Sequence, residues 1–290
     1  MPEATILCLG NFDGVHMAHR ALLKKALQMK DKISDASCGV LCFREPSGDF
    51  LFPTPPAHLC TLDQKINLFF DEGMDFVLLV DFLEVKDLSA QEFVEDLLIH
   101  KCHCAGVVCG FNYRFGKGGK ATTEDLQALM RGPVEVQSEI CCADASVSST
   151  RIRKLLEKGD VKTAAQLLMR TYSFSAPVLH GKALGRKLGI PTINQLFPNK
   201  MQIPARGVYA TECTVDQKKY RAVTNIGTHP TVDCDAPLNC ETFLLDFHGE
   251  IYGKEVEVSF LQYLRPEQKF DSIQALCDQI EQDILQAKMI

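Results

Sequence analysis

Several function classes are missing from this sequence. Its 13 cysteines are odd in number and irregular in spacing, and no two form a C-x-x-C pair, so no disulfide framework is encoded. They read as small hydrophobes in a reducing cytosol, a better account than a metal site at Cys102-His103-Cys104. The start, Met1 to Leu7, has neither a basic n-region nor a long apolar h-region, and no apolar run approaches a membrane-spanning length. A cytoplasmic protein with no membrane partner is expected. The formal charge is -6, which argues against a general nucleic-acid binder while leaving room for basic phosphate pockets. Internal repeats and low-complexity stretches are also absent.

What is present divides the 290 residues in two. Up to about residue 170, short apolar runs at 5–9, 39–43, 76–80, 105–109 and 134–140 alternate with helical patterns at 17–30, 148–158 and 160–169. Capping boxes stand at Thr61/Gln64 and Ser89/Glu92, the latter opening a helix through His100, and Thr122/Asp125 marks another helix start. Such alternation predicts a parallel sheet with helices on both faces, and ligands bind such sheets beyond the carboxyl ends of the strands. From Tyr172 the texture changes to short runs separated by turn signals: 173–179, 207–213, 220–225, 242–247 and 256–261. These predict a small antiparallel barrel. A last amphipathic helix starts at Asp271, with Ile273, Leu276, Ile280 and Ile284 on its inner face. The expected domains are 1–170 and 171–290.

The richest segment of the first half, Gly10-Asn11-Phe12-Asp13-Gly14-Val15-His16-Met17-Ala18-His19, leaves a strand and enters a helix. Gly10 and Gly14 permit a tight turn, and the helix N-terminus offers N–H groups to a phosphate. His16 and His19 share a helical face and suit a triphosphate. Capping and packing is the rival reading of both. The Lys117-Gly118-Gly119-Lys120 stretch fails the Walker spacing. In the second half, Gly181, Gly185 and Gly189 with basic residues between them make a loop suited to phosphates or to a plain surface turn, and Thr192 and Asn194 offer oxygen to a hard cation.

The first segment resembles the G-x-F-D-x-x-H-x-G-H signature of the nucleotidyltransferases, and more closely the adenylyltransferase module of bacterial bifunctional riboflavin kinase/FAD synthetases. Ala18 replaces the signature's last glycine. Gly110 to Gly116 is similar to that family's G-x-D-F-x-F-G loop with Asn112 for aspartate, and Ser148 to Arg153 to its S-S-T-x-x-R motif. The family's T-F-x-P-H-P segment is altered to Cys42-Phe43-Arg44-Glu45-Pro46-Ser47, without histidine. Gly181 to Asn194 resembles the G-R-x-L-G-x-P-T-A-N signature of riboflavin kinases, and 204–210, 225–231, 241–247 and 264–267 match further kinase segments.

The resemblance implies a nucleotidyltransferase (Rossmann-like) domain and a kinase barrel that phosphorylate riboflavin to FMN and adenylylate FMN to FAD, with ATP as co-substrate and Mg²⁺ as cofactor. It places ATP in the first domain on Gly10, Phe12, His16, His19, Asn112, Ser149, Thr150 and Arg153. In the second it places ATP on Gly181, Gly185, Arg186, Gly189 and Thr192, with Mg²⁺ on Thr192 and Asn194. It puts the catalytic base on Glu241 and a flavin contact on Arg265. Two alternatives stay open: a kinase with a degenerate first domain, marked by Ala18, Asn112 and Cys42–Ser47, or a non-catalytic flavin sensor.

Overall fold

The computed structural model describes residues 3–181, 189–227 and 238–290. The chain divides into two compact units, Met1–Ser149 and Thr150–Ile290. The helices Ser149–Glu157 and Val161–Leu168 lie between this boundary and the expected one at residue 170, the first of them starting on the last residue of the first unit.

In the first unit, five strands form a parallel sheet: β1 (Ala4–Leu9), β2 (Ala36–Phe43), β3 (Phe76–Val80), β4 (Cys104–Gly110) and β5 (Val134–Gln137), in the order β3-β2-β1-β4-β5. The period-2 rule sorts β1 between two cores. Ile6 and Cys8 join Phe12, Leu23, Ala26 and Phe69 on one face, while Leu7 and Leu9 join Phe93, Leu98, Val107 and Phe115 on the other. The chain runs outward from β1 to β3 and returns to β4 on the opposite side of β1. The crevice at that switch point, beyond β1 and β4, is where such folds seat ligands. The loops at residues 10–16 and 111–116 both begin there.

The capping boxes predicted at Thr61 and Ser89 form, and the helix start predicted at Thr122 carries a capping box as well. The helix after Ser89 departs from expectation, because only Ala90–Glu92 is α-helical and Phe93–Lys101 is wound as a π-helix. That winding buries Phe93, Val94, Leu97 and Leu98 together. A short hairpin, β6 (Cys141–Cys142) with β7 (Ala145–Ser146), closes the unit.

The second unit is a nearly closed antiparallel barrel. Its strands are β8 (Tyr172–Pro177), β9 (Ile193–Leu196), β10 (Gly207–Val215), β11 (Lys218–Gly227), β12 (Asn239–Leu244) and β13 (Glu255–Arg265), in the order β8-β13-β10-β11-β12-β9. Asp216 and Gln217 take left-handed conformations in the two-residue turn between β10 and β11, the geometry that twisted hairpins favour. The Leu179 N–H donates to the Asn194 carbonyl at 2.8 Å, bridging the chain beyond β8 to β9 and nearly sealing the barrel. Inside, the hydroxyls of Thr211, Thr224 and Thr242 form a buried chain at 2.7 and 2.9 Å.

The last helix, Ile273–Lys288, is capped by Ser272 rather than Asp271. Ile273 is exposed, correcting its assignment to the inner face, while Leu276, Ile280 and Ile284 are half-buried. The buried positions are Asp283 and Ala287. Among the described residues, no helix is long and apolar enough to cross a membrane, and no three His, Cys, Asp or Glu side chains cluster to hold a metal.

Candidate functional site

The loop after β1 is strained. Phe12 and Val15 adopt φ of 52° and 42°, and a β-branched residue rarely accepts that region. Both side chains are fully buried, so the core holds them there. Phe12 therefore has a supporting part: its ring meets Phe69 edge-on at 5.4 Å and lies 5.1 Å from His19. Gly10 is needed because a Cβ there would come within 3.1 Å of the Phe12 ring.

This scaffold stacks His16 on His19, with ring centroids 3.7 Å apart and planes 13° from parallel. His16 is buried at the helix N-terminus. Burial pushes His19 well below the usual imidazole range, and neighbouring His16 and Lys65 push in the same direction. The His19 Nδ1 is buried with no hydrogen-bond partner among the described residues. Asp13 secures the loop from two sides: its Oδ1 accepts from the Leu59 N–H at 2.8 Å, and its carbonyl accepts from the Ser149 hydroxyl at 2.9 Å. The serine motif is thus tied to the histidine loop through Ser149. Thr150 and Arg153 fall in the second unit, Thr150 exposed and Arg153 half-buried on the helix Ser149–Glu157.

Asn112 is exposed just beyond β4, with Gly110 turned beneath it. Around the altered segment after β2, Phe82 meets Phe43 edge-on at 5.3 Å and stacks on Phe50 at 5.5 Å. Phe50, Leu51, Phe52 and Leu83 leave large apolar surface exposed there.

In the barrel, register brings the kinase residues together. Glu241 on β12 lies directly opposite Asn194 on β9. Asn239 joins them: its Nδ2 donates to Asn194 Oδ1 at 2.9 Å and to Glu241 Oε1 at 3.2 Å. Thr192, half-buried, stands just before β9. At Gly181 a Cβ would stand 2.3 Å from Asn194 Nδ2. Its missing side chain is the space that the carboxamide fills. Gly189 has φ of 74°, and its own place for a Cβ is open. Gly185, Arg186 and the segment 228–231 lie outside the described residues. The oxygen donors Thr192, Asn194 and Glu241 suit a hard cation, and an amide oxygen that accepts one hydrogen bond keeps a second lone pair.

Arg265 is tied to the last helix. Its Nε and Nη2 grip the buried Asp283 carboxylate at 2.8–3.1 Å, and its Nη1 donates to the Pro266 carbonyl. The guanidinium clamps the last helix to β13. Two residues near the sites carry no mark in the sequence. Asn239 belongs to no motif, and only strand register reveals it. Lys65 lies buried at the histidine pair, and its position four before Phe69 on a helical face was the available signal.

A family model described as FAD synthetase matches residues 1–151, and one described as riboflavin kinase matches residues 168–290. The chain is 34% identical over 284 residues to a bifunctional riboflavin kinase/FMN adenylyltransferase of Listeria monocytogenes, covering 96% of this chain and 90% of that protein. It is 35% identical over 297 residues to the bifunctional riboflavin kinase/FMN adenylyltransferase of Escherichia coli K12, covering 99% and 92%. A solved structure described as a macrolide-efflux protein from Streptococcus pneumoniae superposes with a TM-score of 0.92 at 32% identity, covering 99% of this chain and 95% of the other. Matched in both halves and aligned with such relatives over nearly its whole length, the chain belongs to the bifunctional riboflavin kinase/FMN adenylyltransferase family.

Proposed function

We propose that this chain makes FMN and FAD by two ATP-dependent transfers, one in each unit. The barrel phosphorylates riboflavin, and the parallel-sheet unit adenylylates FMN with release of pyrophosphate. The observation that carries the reading is the Asn194–Asn239–Glu241 arrangement across β9 and β12, an oxygen ligand and a carboxylate base held by one amide.

In the kinase reaction Glu241 accepts the proton of the ribityl hydroxyl as that oxygen attacks the γ-phosphorus of ATP. Such a base is worth roughly 10²–10⁴-fold. Thr192 and Asn194 hold Mg²⁺, which when bound neutralises charge on the ATP phosphates. Gly181 keeps the Asn194 carboxamide in place, and Gly185, Arg186 and Gly189 belong to the loop assigned to the phosphates.

In the adenylyl transfer an FMN phosphate oxygen attacks the α-phosphorus of ATP. One P–O bond forms and the bond to the leaving pyrophosphate breaks. Gly10 and Phe12 shape the loop that aims His16 and His19 at the phosphates. Ser149, Thr150, Arg153 and Asn112 are assigned to ATP on the strength of their motifs. The exposed apolar surface of Phe50, Leu51, Phe52 and Leu83, backed by the half-buried rings of Phe43 and Phe82, suits the flavin ring, since contiguous exposed apolar patches mark binding surfaces.

The test separates the units. Glu241→Gln should lose about 10²-fold or more of FMN formation while still converting supplied FMN to FAD. His16→Ala with His19→Ala should stop at FMN. Chromatography of the flavins reads both outcomes, and loss of both activities in a folded Glu241→Gln protein overturns the two-site assignment.

A further inference from the structure

The helix Leu62–Asp71 buries two side chains, Lys65 and Phe69. They are four residues apart and so lie on one face. Phe69 shows where that face points, because its ring meets Phe12, and Phe12 lies against His19. Lys65 is 4% exposed, and no carboxylate lies within ion-pairing distance of its ammonium among the described residues. Lys65 stands close enough to His19 after β1 and to Cys42 near the end of β2 for its charge to act on both.

A lysine side chain sunk this far with no carboxylate paired to it is placed to offer its ammonium to an anion. His19, held neutral near pH 7 by its lowered pKa, brings no fixed positive charge to this crevice. The altered segment Cys42–Ser47 has no histidine either.

We propose that Lys65 binds phosphate in the adenylyltransferase site, meeting the triphosphate of ATP and the pyrophosphate that leaves it beside His16 and His19. The inference rests on the proposed FAD synthesis for its reaction. As the α-phosphorus bond to the bridging oxygen breaks, the electron pair stays on pyrophosphate, and Lys65 stabilises the charge that develops there. Preorganised donors of this kind are worth about 10²–10³-fold in rate.

The test is Lys65→Met in the full chain, with Lys65→Arg beside it and Lys65→Gln should the methionine variant fail to fold. Inorganic pyrophosphate is titrated by calorimetry, and FMN-to-FAD conversion is assayed separately. We expect Lys65→Met to weaken pyrophosphate binding at least about tenfold and to slow FAD formation about 10²-fold. Lys65→Arg should recover most of both, and riboflavin phosphorylation should hold at the parent rate. The melting temperature should stay level, whereas loss of a merely structural lysine would lower it. Pyrophosphate affinity within threefold of the parent, or no pyrophosphate binding by the parent, overturns the proposal. A parent that binds pyrophosphate through Lys65 yet makes no FAD would sink the functional reading and leave the anion site standing.

Discussion

Replacing Gly181 by alanine tests how the kinase site is assembled. The new methyl would stand 2.3 Å from Asn194 Nδ2 and 2.8 Å from Cγ. Carbon contacts settle at about 3.5–4.0 Å, so the carboxamide must withdraw by about 1 Å or more. It cannot do so freely, because Asn239 holds its oxygen at 2.9 Å and the Asn194 carbonyl is bonded to Leu179. Losing the Asn239 bond costs about 0.5–1.5 kcal/mol. The gain in chain stiffness from Gly to Ala returns about 0.4–1 kcal/mol, and the φ of Gly181 lies outside the region that only glycine tolerates. Net stability should therefore change by about 1 kcal/mol or less, a melting shift of about 2–4 °C at most. A ligand displaced by 1 Å costs about 10²-fold in rate. Gly181→Ala should accordingly fold normally, make FMN about 10²-fold more slowly, need more Mg²⁺ for half its remaining rate, and convert FMN to FAD like the parent. FMN formation within threefold of the parent would refute the packing argument.

Three further outcomes follow from other contacts. Asp283→Asn leaves Arg265 without its counter-charge at a nearly closed site, and should cost about 3–5 kcal/mol in denaturant titration. His19 has a folded-state pKa below its unfolded one, so the unfolded chain takes up the proton first on acidification. Its contribution is flat above the ordinary imidazole value and turns against the fold as pH falls from about 6.5 toward the lowered pKa, by up to about 1.4 kcal/mol per pH unit; His19→Gln should flatten that part of a stability–pH profile. Burial pushes the thiols of Cys38, Cys104 and Cys240 up to about 12, so at pH 8 a thiol reagent should spare them in the native protein while modifying the exposed Cys141. Peptide mass mapping reads this directly, and reductant should leave the melting temperature unchanged.

The sheet and barrel were legible because their apolar runs are clearly bounded, by helix caps in the first half and by turn signals in the second. Thr61, Ser89 and Thr122 each carry the residue that completes the box three positions on. Strand β9 was not legible, since Ile193–Leu196 is four residues long and follows a glycine-rich stretch that masks its alternation. The motif residues in turn hid a difference in task. Phe12 carries the same motif weight as His16, yet it is fully buried and holds the histidines in place. Arg265 stands in a kinase segment, yet its partner Asp283 lies on the last helix, and one strand sequence gives no sign of that pairing. Ile273 fits the apolar stripe but lies in the first turn, where the helix has not yet reached the barrel. Lys65 escapes any composition argument, because lysines on amphipathic helices ordinarily face water.

The seam at Asn194 has a further consequence. The residue whose carbonyl nearly seals the barrel is the one whose side chain is assigned to the metal, and among the described residues its strand β9 pairs along its length only with β12. A short edge strand opens locally at a lower free energy than the strands inside it. Amide protons of β9 should therefore exchange with solvent through openings smaller than global unfolding, and each such opening takes the site apart. On warming, phosphorylation of riboflavin should fade before the barrel's circular dichroism signal does, so that heat inactivation and heat denaturation of this unit are separate events.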